Sequence, residues 1–219
     1  MFGAIDFYKA CKANGIKPII GCEVYVAPRK MADRDPSIDN RYNHLILLAK
    51  DNTGYKNLAK LVSLGFTDGF YYKPRIDKEV LEKYHEGLIC SSACLAGEVA
   101  SEIVKGDMEA AKKSALWFKS IFGEDYYLEI QNNGIKEQVL VNQKLIQLSR
   151  ELDIPLLATN DSHYLKKEDA YNHEVLLCIQ TGKRMSDEDR MRFETDELYI
   201  KSPEEMMDYF KAVPDAIEN

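Results

Sequence analysis

Five short apolar runs, separated by segments of helical periodicity, are the feature that most constrains the fold of this 219-residue chain. The runs cover Lys17–Val26, His44–Ala49, Gly87–Ser91, Tyr126–Ile130 and Ile154–Thr159. Each run is apolar at most of its positions, which is typical of strands buried on both faces in a parallel sheet covered by helices. The sequence therefore predicts an α/β fold, either a barrel or an open doubly wound sheet.

The segments between these runs predict the helices. Their ranges are Ala4–Asn14, Gly54–Gly65, Lys78–Tyr84, Glu98–Lys105, Met108–Phe122, Lys136–Leu152, Lys166–Gln180 and a last helix from Ser202–Pro203 onward. Polar residues and prolines in 28–43 predict a surface loop between the first two strands. No glycine-rich phosphate loop follows any strand, which argues against a nucleotide-binding sheet.

Charge and cysteine content narrow the class of protein further. The net charge is −7, whereas a domain that binds nucleic acid through phosphate neutralisation alone is expected to be basic. Tight DNA binding would need metal ions, a local basic strip or a neighbouring domain. The five cysteines are irregularly spaced, which favours the reducing cytoplasm over a disulfide framework. No apolar run is long enough to span a bilayer, so we expect no association with a membrane.

Residues able to bind metal ions stand at or near the ends of the predicted strands. In a parallel barrel the chemistry lies at this edge of the sheet. The candidates are Glu23, His44, Cys94, Asp161 and His163. Nitrogen, oxygen and sulfur ligands in one set suit zinc, manganese or iron. Metal ions held there could activate a water molecule and neutralise a phosphoryl group, which is the chemistry of phosphoester hydrolysis.

Each of these residues also has an ordinary structural interpretation. His44 could be a hydrogen-bonded histidine at a strand start, and Glu23 could point into solvent. Asp161 could cap the turn that follows the last strand. Cys94 could be a core residue, as we expect for the other cysteines Cys11, Cys22, Cys90 and Cys178.

An aromatic and basic loop, Gly69–Ile76, contains a second set of candidates. Lys73 and Arg75 could contact a phosphate or a nucleic-acid backbone, with the neighbouring tyrosines stacking on bases. The alternative is a loop whose tyrosines pack on the barrel. The sequence leaves these two interpretations open.

Seven segments in order resemble the polymerase-and-histidinol-phosphatase (PHP) domain of bacterial DNA polymerase III alpha subunits, the C-family replicative polymerases. The segments are Phe2–Tyr8, Ile16–Val26, Tyr42–Ala49, Gly69–Ile76, Ser92–Glu98, Tyr127–Gln131 and Ala158–Tyr164. The resemblance implies a distorted TIM-like barrel of seven parallel strands with a divalent-metal site, and some members have 3′–5′ exonuclease activity. It also implies that Glu23, His44, Cys94, Asp161 and His163 match ligand positions of the family.

The resemblance further implies that the chain lacks the first two strands of the family, with their ligands, and the later polymerase domain. We expect a PHP domain over residues 1–183 and a charged extension over 184–219 that leads toward the polymerase palm. The parent would be a DNA-directed DNA polymerase that uses magnesium, with DNA, a proofreading exonuclease subunit and a sliding clamp as partners. The chain alone is expected to be inactive, with an incomplete metal site. The alternatives are a non-catalytic docking module for the proofreading subunit and a stand-alone PHP phosphatase.

Overall fold

A computed structural model describes residues 1–219 and contains one six-stranded mixed sheet. The strands are β1 (Gly21–Val26), β2 (Asn43–Ala49), β3 (Arg75–Ile76), β4 (Leu88–Ser91), β5 (Tyr126–Gln131) and β6 (Leu156–Thr159). Their order across the sheet is β3-β1-β2-β4-β5-β6. The predicted α/β fold is therefore confirmed, and all five predicted strands are present.

The prediction of a wholly parallel sheet is wrong at β2. This strand runs antiparallel to both β1 and β4, whereas the pairs β1–β3, β4–β5 and β5–β6 are parallel. The cause is the connection between β1 and β2, a loop over residues 27–42 that contains no helix. A chain that returns without a crossover helix joins antiparallel neighbours, whereas parallel neighbours need a longer crossover.

The sheet of the described chain is open, with β3 and β6 at its two edges. Neither the barrel nor the count of seven strands is therefore confirmed. The two-residue strand β3 was not predicted, because so short a segment leaves no periodicity to recognise.

The helices follow the predicted order. They are α1 (Ala4–Ala13), α2 (Asn52–Thr67), α3 (Lys78–Lys83), α4 (Glu98–Val104), α5 (Met108–Phe122), α6 (Lys136–Leu152), α7 (Ala170–Thr181), α8 (Pro203–Tyr209) and α9 (Asp215–Glu218). Aspartate side chains cap the first turns of α2, α3 and α5, and Ser202 with Glu205 forms a capping box on α8. None of these helices combines the length and the apolar character that crossing a bilayer requires.

One face of the sheet packs against helices and forms the core. Alternate strand residues such as Val24, Leu45, Cys90 and Leu128 belong to a single buried cluster with side chains of α2, α5 and α6. Since successive strand residues point to opposite faces, Glu23 and its like-facing neighbours lie on the other face. The candidate site is therefore built on the face that the core does not use.

The two ends of the chain differ in burial. On α1, Cys11 is buried, whereas Ile5 and Tyr8 on the same helix are exposed. At the other end Phe210 and Ala216 join the main core, and α9 contacts β6. The predicted division at residue 183/184 stays a prediction.

Candidate metal centre

Three of the five predicted ligands converge at one edge of the sheet. Pairing of β1 with β2 sets Tyr25 opposite His44, so Glu23 and His44 share a face. The Oε1 atom of Glu23 lies 3.3 Å from Nδ1 of His44, and Sγ of Cys94 lies 3.5 Å from the same nitrogen. One ligand atom from each of these residues falls within 4.8 Å of the others. His44 is the second residue of β2, and it reaches this edge because β2 is antiparallel.

A tight turn after β4 carries Cys94 to His44. The main-chain N–H of His44 donates to the carbonyl of Ala96 at 3.0 Å, and Gly97 N–H donates to the Cys94 carbonyl at 2.9 Å. A Cβ on Gly97 would lie 2.0 Å from the Ser92 carbonyl oxygen, closer than any side chain tolerates. Glycine at this position is therefore required for the turn that presents the thiol.

The surroundings of His44 shift its pKa and set the orientation of its ring. Contact of its ring with the Cys94 thiol, and then with the Glu23 carboxylate, raises the pKa of His44 to about 10. The ring of Tyr42 is stacked on the imidazole at 6.0 Å, and that of Tyr25 lies at 5.2 Å. Two aromatic walls thus hold the ring with Nδ1 toward the carboxylate and the thiol.

Asp161 and His163 form a separate pair beyond the end of β6. Their side chains meet with Nε2 of His163 at 3.6 Å from Oδ1 of Asp161. The adjacent Asp161 carboxylate raises the pKa of His163, and the charge of Glu23 adds a smaller contribution in the same direction. An extended backbone does not bring the two side chains together, since β6 ends at Thr159 and Asp161 has a left-handed φ of 47°. A local turn brings the two side chains together instead.

Glu129 is a buried acid that the sequence analysis did not single out. Its carboxylate accepts hydrogen bonds from Thr159 Oγ1 at 2.5 Å, from Gln131 Nε2 at 2.8 Å and from the Ser91 hydroxyl. Its main-chain N–H donates to Ser92 Oγ at 2.9 Å. The carboxylate thereby links side chains of β4, β5 and β6. Its partners on β4 and β6 lie just before the turns that carry Cys94 and Asp161. A charged residue in the middle of an apolar strand is the signal that could have found it.

Replacing Glu129 with glutamine is expected to lower the free energy of unfolding by about 1–3 kcal/mol, because the NH₂ that replaces one carboxylate oxygen would face the donors of that oxygen and could not accept from them. Burial raises the pKa of Glu129 above its usual 4.5. The stability it contributes is therefore complete below pH 4.5 and declines as the pH rises through the folded-state pKa. Urea unfolding of both proteins across this range should show their difference narrowing as the pH rises. A difference independent of pH would contradict the assignment.

Arg75 does not lie where a phosphate could reach it, which corrects the expectation for this residue. The side chain is fully buried, and the guanidinium donates to the carbonyl oxygens of Asp39 at 2.6 Å, Asp33 at 3.0 Å, Met31 at 3.1 Å and Gly69 at 3.3 Å. These hydrogen bonds from Arg75, which lies on β3, hold the 27–42 loop against the sheet. Lys73 is half-buried in the neighbouring loop, and its proposed contact with nucleic acid stays a prediction.

The fold and this cluster define an α/β protein with a candidate transition-metal centre at one edge of its sheet. A family model of the PHP domain matches residues 1–133, which is more than half of the chain. The chain belongs to the PHP domain family. Glu23, His44, Cys94 and Glu129 lie inside the matched residues, and Asp161 and His163 lie beyond them.

Relatives similar over the whole or nearly the whole chain are DNA polymerase III alpha subunits. The chain is 53% identical to that of Borreliella burgdorferi over 220 residues, and 50% identical to that of Campylobacter jejuni over 230 residues. Both alignments cover 100% of this chain and 19% of the relative. The Thermus aquaticus subunit is 48% identical over 208 residues, covering 94% of this chain and 17% of the relative. The chain thus spans about a fifth of the length of these relatives, and the predicted resemblance is confirmed.

Proposed function

We propose that this PHP domain is part of a bacterial DNA polymerase III alpha subunit and serves chromosomal DNA replication in the cytoplasm. Similarity along the whole chain to alpha subunits of several bacteria supports this. The whole protein would be a DNA-directed DNA polymerase that uses magnesium at its polymerase site. Its partners would be DNA, a proofreading exonuclease subunit and a sliding clamp. Residues 1–183 would carry the PHP site, and 184–219 would lead toward the polymerase palm.

Within this protein, Glu23, His44 and Cys94 would hold a divalent transition metal. In a tetrahedral site, bonds of about 2.1 Å to nitrogen and oxygen and about 2.3 Å to sulfur set ligand distances of about 3.4 Å and about 3.6 Å. The corresponding distances here are 3.3 Å between nitrogen and oxygen and 3.5 Å between sulfur and nitrogen. Two edges of a tetrahedral face thus already have the expected length, and the third, between the Glu23 carboxylate and Cys94 Sγ, is at most 4.8 Å; this observation carries the proposal.

The chemistry of the ligands favours some metals over others. A thiolate beside an imidazole suits zinc or iron better than manganese, which prefers oxygen ligands. Asp161 and His163, on the turn after β6, offer a carboxylate and an imidazole for the rest of the site. A metal bound there would supply Lewis-acid activation of water and neutralise charge on a phosphoester. The function that follows is a metal-dependent phosphoesterase of the 3′–5′ exonuclease type.

Zinc binding tests the proposal on the chain itself. Equilibrium dialysis at low micromolar free zinc is expected to leave at least one zinc ion on each wild-type chain. A triple variant with Glu23→Gln, His44→Gln and Cys94→Ser is expected to retain none. Equal zinc content in the two proteins, or none in either, would refute the metal site.

Hydrolysis separates the candidate functions once binding is known. The chain alone is expected to cleave weakly or not at all, so a full-length alpha subunit containing these residues is the protein to assay. Release of nucleotides from the 3′ end of single-stranded DNA, lost in the triple variant, would support the exonuclease. Metal binding without cleavage would favour the docking module for the proofreading subunit. Hydrolysis of histidinol phosphate instead would favour a PHP phosphatase.

A further inference from the structure

Residues 195–201, here called the strap, pair with the loop that carries Asp161 and His163. The N–H groups of His163 and Tyr164 donate to the Leu198 carbonyl at 2.8 Å and 3.3 Å, and Ile200 N–H donates to the Leu165 carbonyl at 3.3 Å. Tyr164 and Tyr199 form an isolated parallel bridge. The strap therefore forms main-chain hydrogen bonds with residues 163–165, which lie beyond the end of β6.

Lys201 is the side chain that locks the strap to this loop. Its side chain is only 1% exposed, and Nζ donates to Asn160 Oδ1 at 3.3 Å and to the Glu197 carbonyl. Asn160 donates in turn to Ser162 Oγ at 2.6 Å and to the Tyr199 carbonyl. The residues on both sides of Asp161 are thus held by one connected set of hydrogen bonds.

The conformation of Asp161 explains why such support is needed. Its φ of 47° is left-handed, a region that costs free energy for a residue with a side chain. Aspartate tolerates it better than most residues, but the neighbours must still hold the turn in place. The strap is itself anchored, since Leu198 is buried and Thr195 Oγ1 donates to the Asn133 carbonyl at 2.6 Å.

We propose that Lys201 is a positioning residue, which through Asn160 sets the Asp161–His163 loop in the geometry that a metal ion requires. The inference rests on the proposed metal site and deepens it. The segment that leads into α8 then becomes part of the site, because Tyr199 of the strap also donates to Glu205 of that helix at 2.6 Å. A displacement of α8 would be transmitted to the two ligands.

Hydrogen exchange of the metal-free chain tests whether Lys201 holds the Asp161–His163 loop in place. In Lys201→Met, a side chain of similar length, the amides of His163 and Tyr164 are expected to exchange about 10-fold faster or more. The His44 amide, which donates to Ala96, serves as the internal reference and should not change. Lys167→Met is the matched control, since Lys167 also pairs with Glu197 but does not touch Asn160. Unchanged exchange at His163, or equal acceleration at His44, would overturn the proposal.

Imidazole NMR signals during a zinc titration test whether metal binding at His163 depends on Lys201. In the wild type, zinc is expected to shift the signals of both His44 and His163. In Lys201→Met the zinc-induced shift of the His163 signal should be lost or strongly reduced while that of His44 is retained. Parallel weakening at both histidines would assign Lys201 a merely global role. If zinc shifts neither histidine in the wild type, the metal site fails, and the exchange rates still decide whether the strap positions the loop.

Discussion

Replacing Arg75 with leucine is expected to destabilise the folded chain by about 3–5 kcal/mol, because it leaves several buried acceptors without a donor. The guanidinium serves four main-chain carbonyls, three of them in the 27–42 loop. It also lies 5.1 Å from the centre of the Tyr71 ring. Leucine fills part of the volume but satisfies none of these oxygens. Chemical denaturation in urea would give the change in the free energy of unfolding.

Lys73→Leu is the control for this substitution. It removes a positive charge two residues away in the same loop, from a half-buried side chain. We expect its effect to stay within about 0.5 kcal/mol. If Arg75→Leu were no more destabilising than Lys73→Leu, the 27–42 loop would not depend on the guanidinium. The interpretation that buried Arg75 holds this loop in place through hydrogen bonds would then be wrong.

The secondary structure was predictable because local signals agree with the fold. Apolar runs and helical periodicity located every long element, and the ranges of α5 and α6 match the prediction to the residue. The direction of β2 was predicted wrongly, because direction depends on the path of a connection and not on the strand's own residues. The absence of a helical pattern in 28–43 was the one signal that could have indicated it.

The candidate site was predictable in composition but not in geometry. Strand-end positions identified Glu23, His44 and Cys94, yet a wholly parallel sheet would have placed His44 at the opposite edge. Glu129 was not predicted because it lies in the middle of a strand, whereas metal ligands are expected at strand ends. The role of the strap was not predicted for a different reason. Its contacts with the loop join residues more than thirty positions apart in the chain, for example Asn160 and Lys201. No local pattern encodes such a contact.

Replacing Cys94 with serine is expected to weaken zinc binding by about 100-fold or more, which corresponds to at least about 2.8 kcal/mol. Loss of a residue that only supports a ligand already costs 10–100-fold in typical sites, so loss of a ligand belongs at or above the upper limit. The hydroxyl of serine stays protonated at neutral pH and is a poor substitute for a thiolate. Competition with a chromogenic chelator would measure the change in affinity, and cobalt would report the bond itself through its thiolate charge-transfer absorption.

Cys22→Ser is the matched control for this experiment. Cys22 is adjacent to Glu23, but its Sγ donates to the main-chain carbonyl of Glu23 at 3.3 Å and takes no part in the cluster. Burial raises the pKa of its thiol, which disfavours the thiolate that a metal would need. We therefore expect wild-type zinc affinity and an intact cobalt absorption band in Cys22→Ser. A band that persists in Cys94→Ser and disappears in Cys22→Ser would place the metal on the other side of β1 and exclude the arrangement of ligands proposed here.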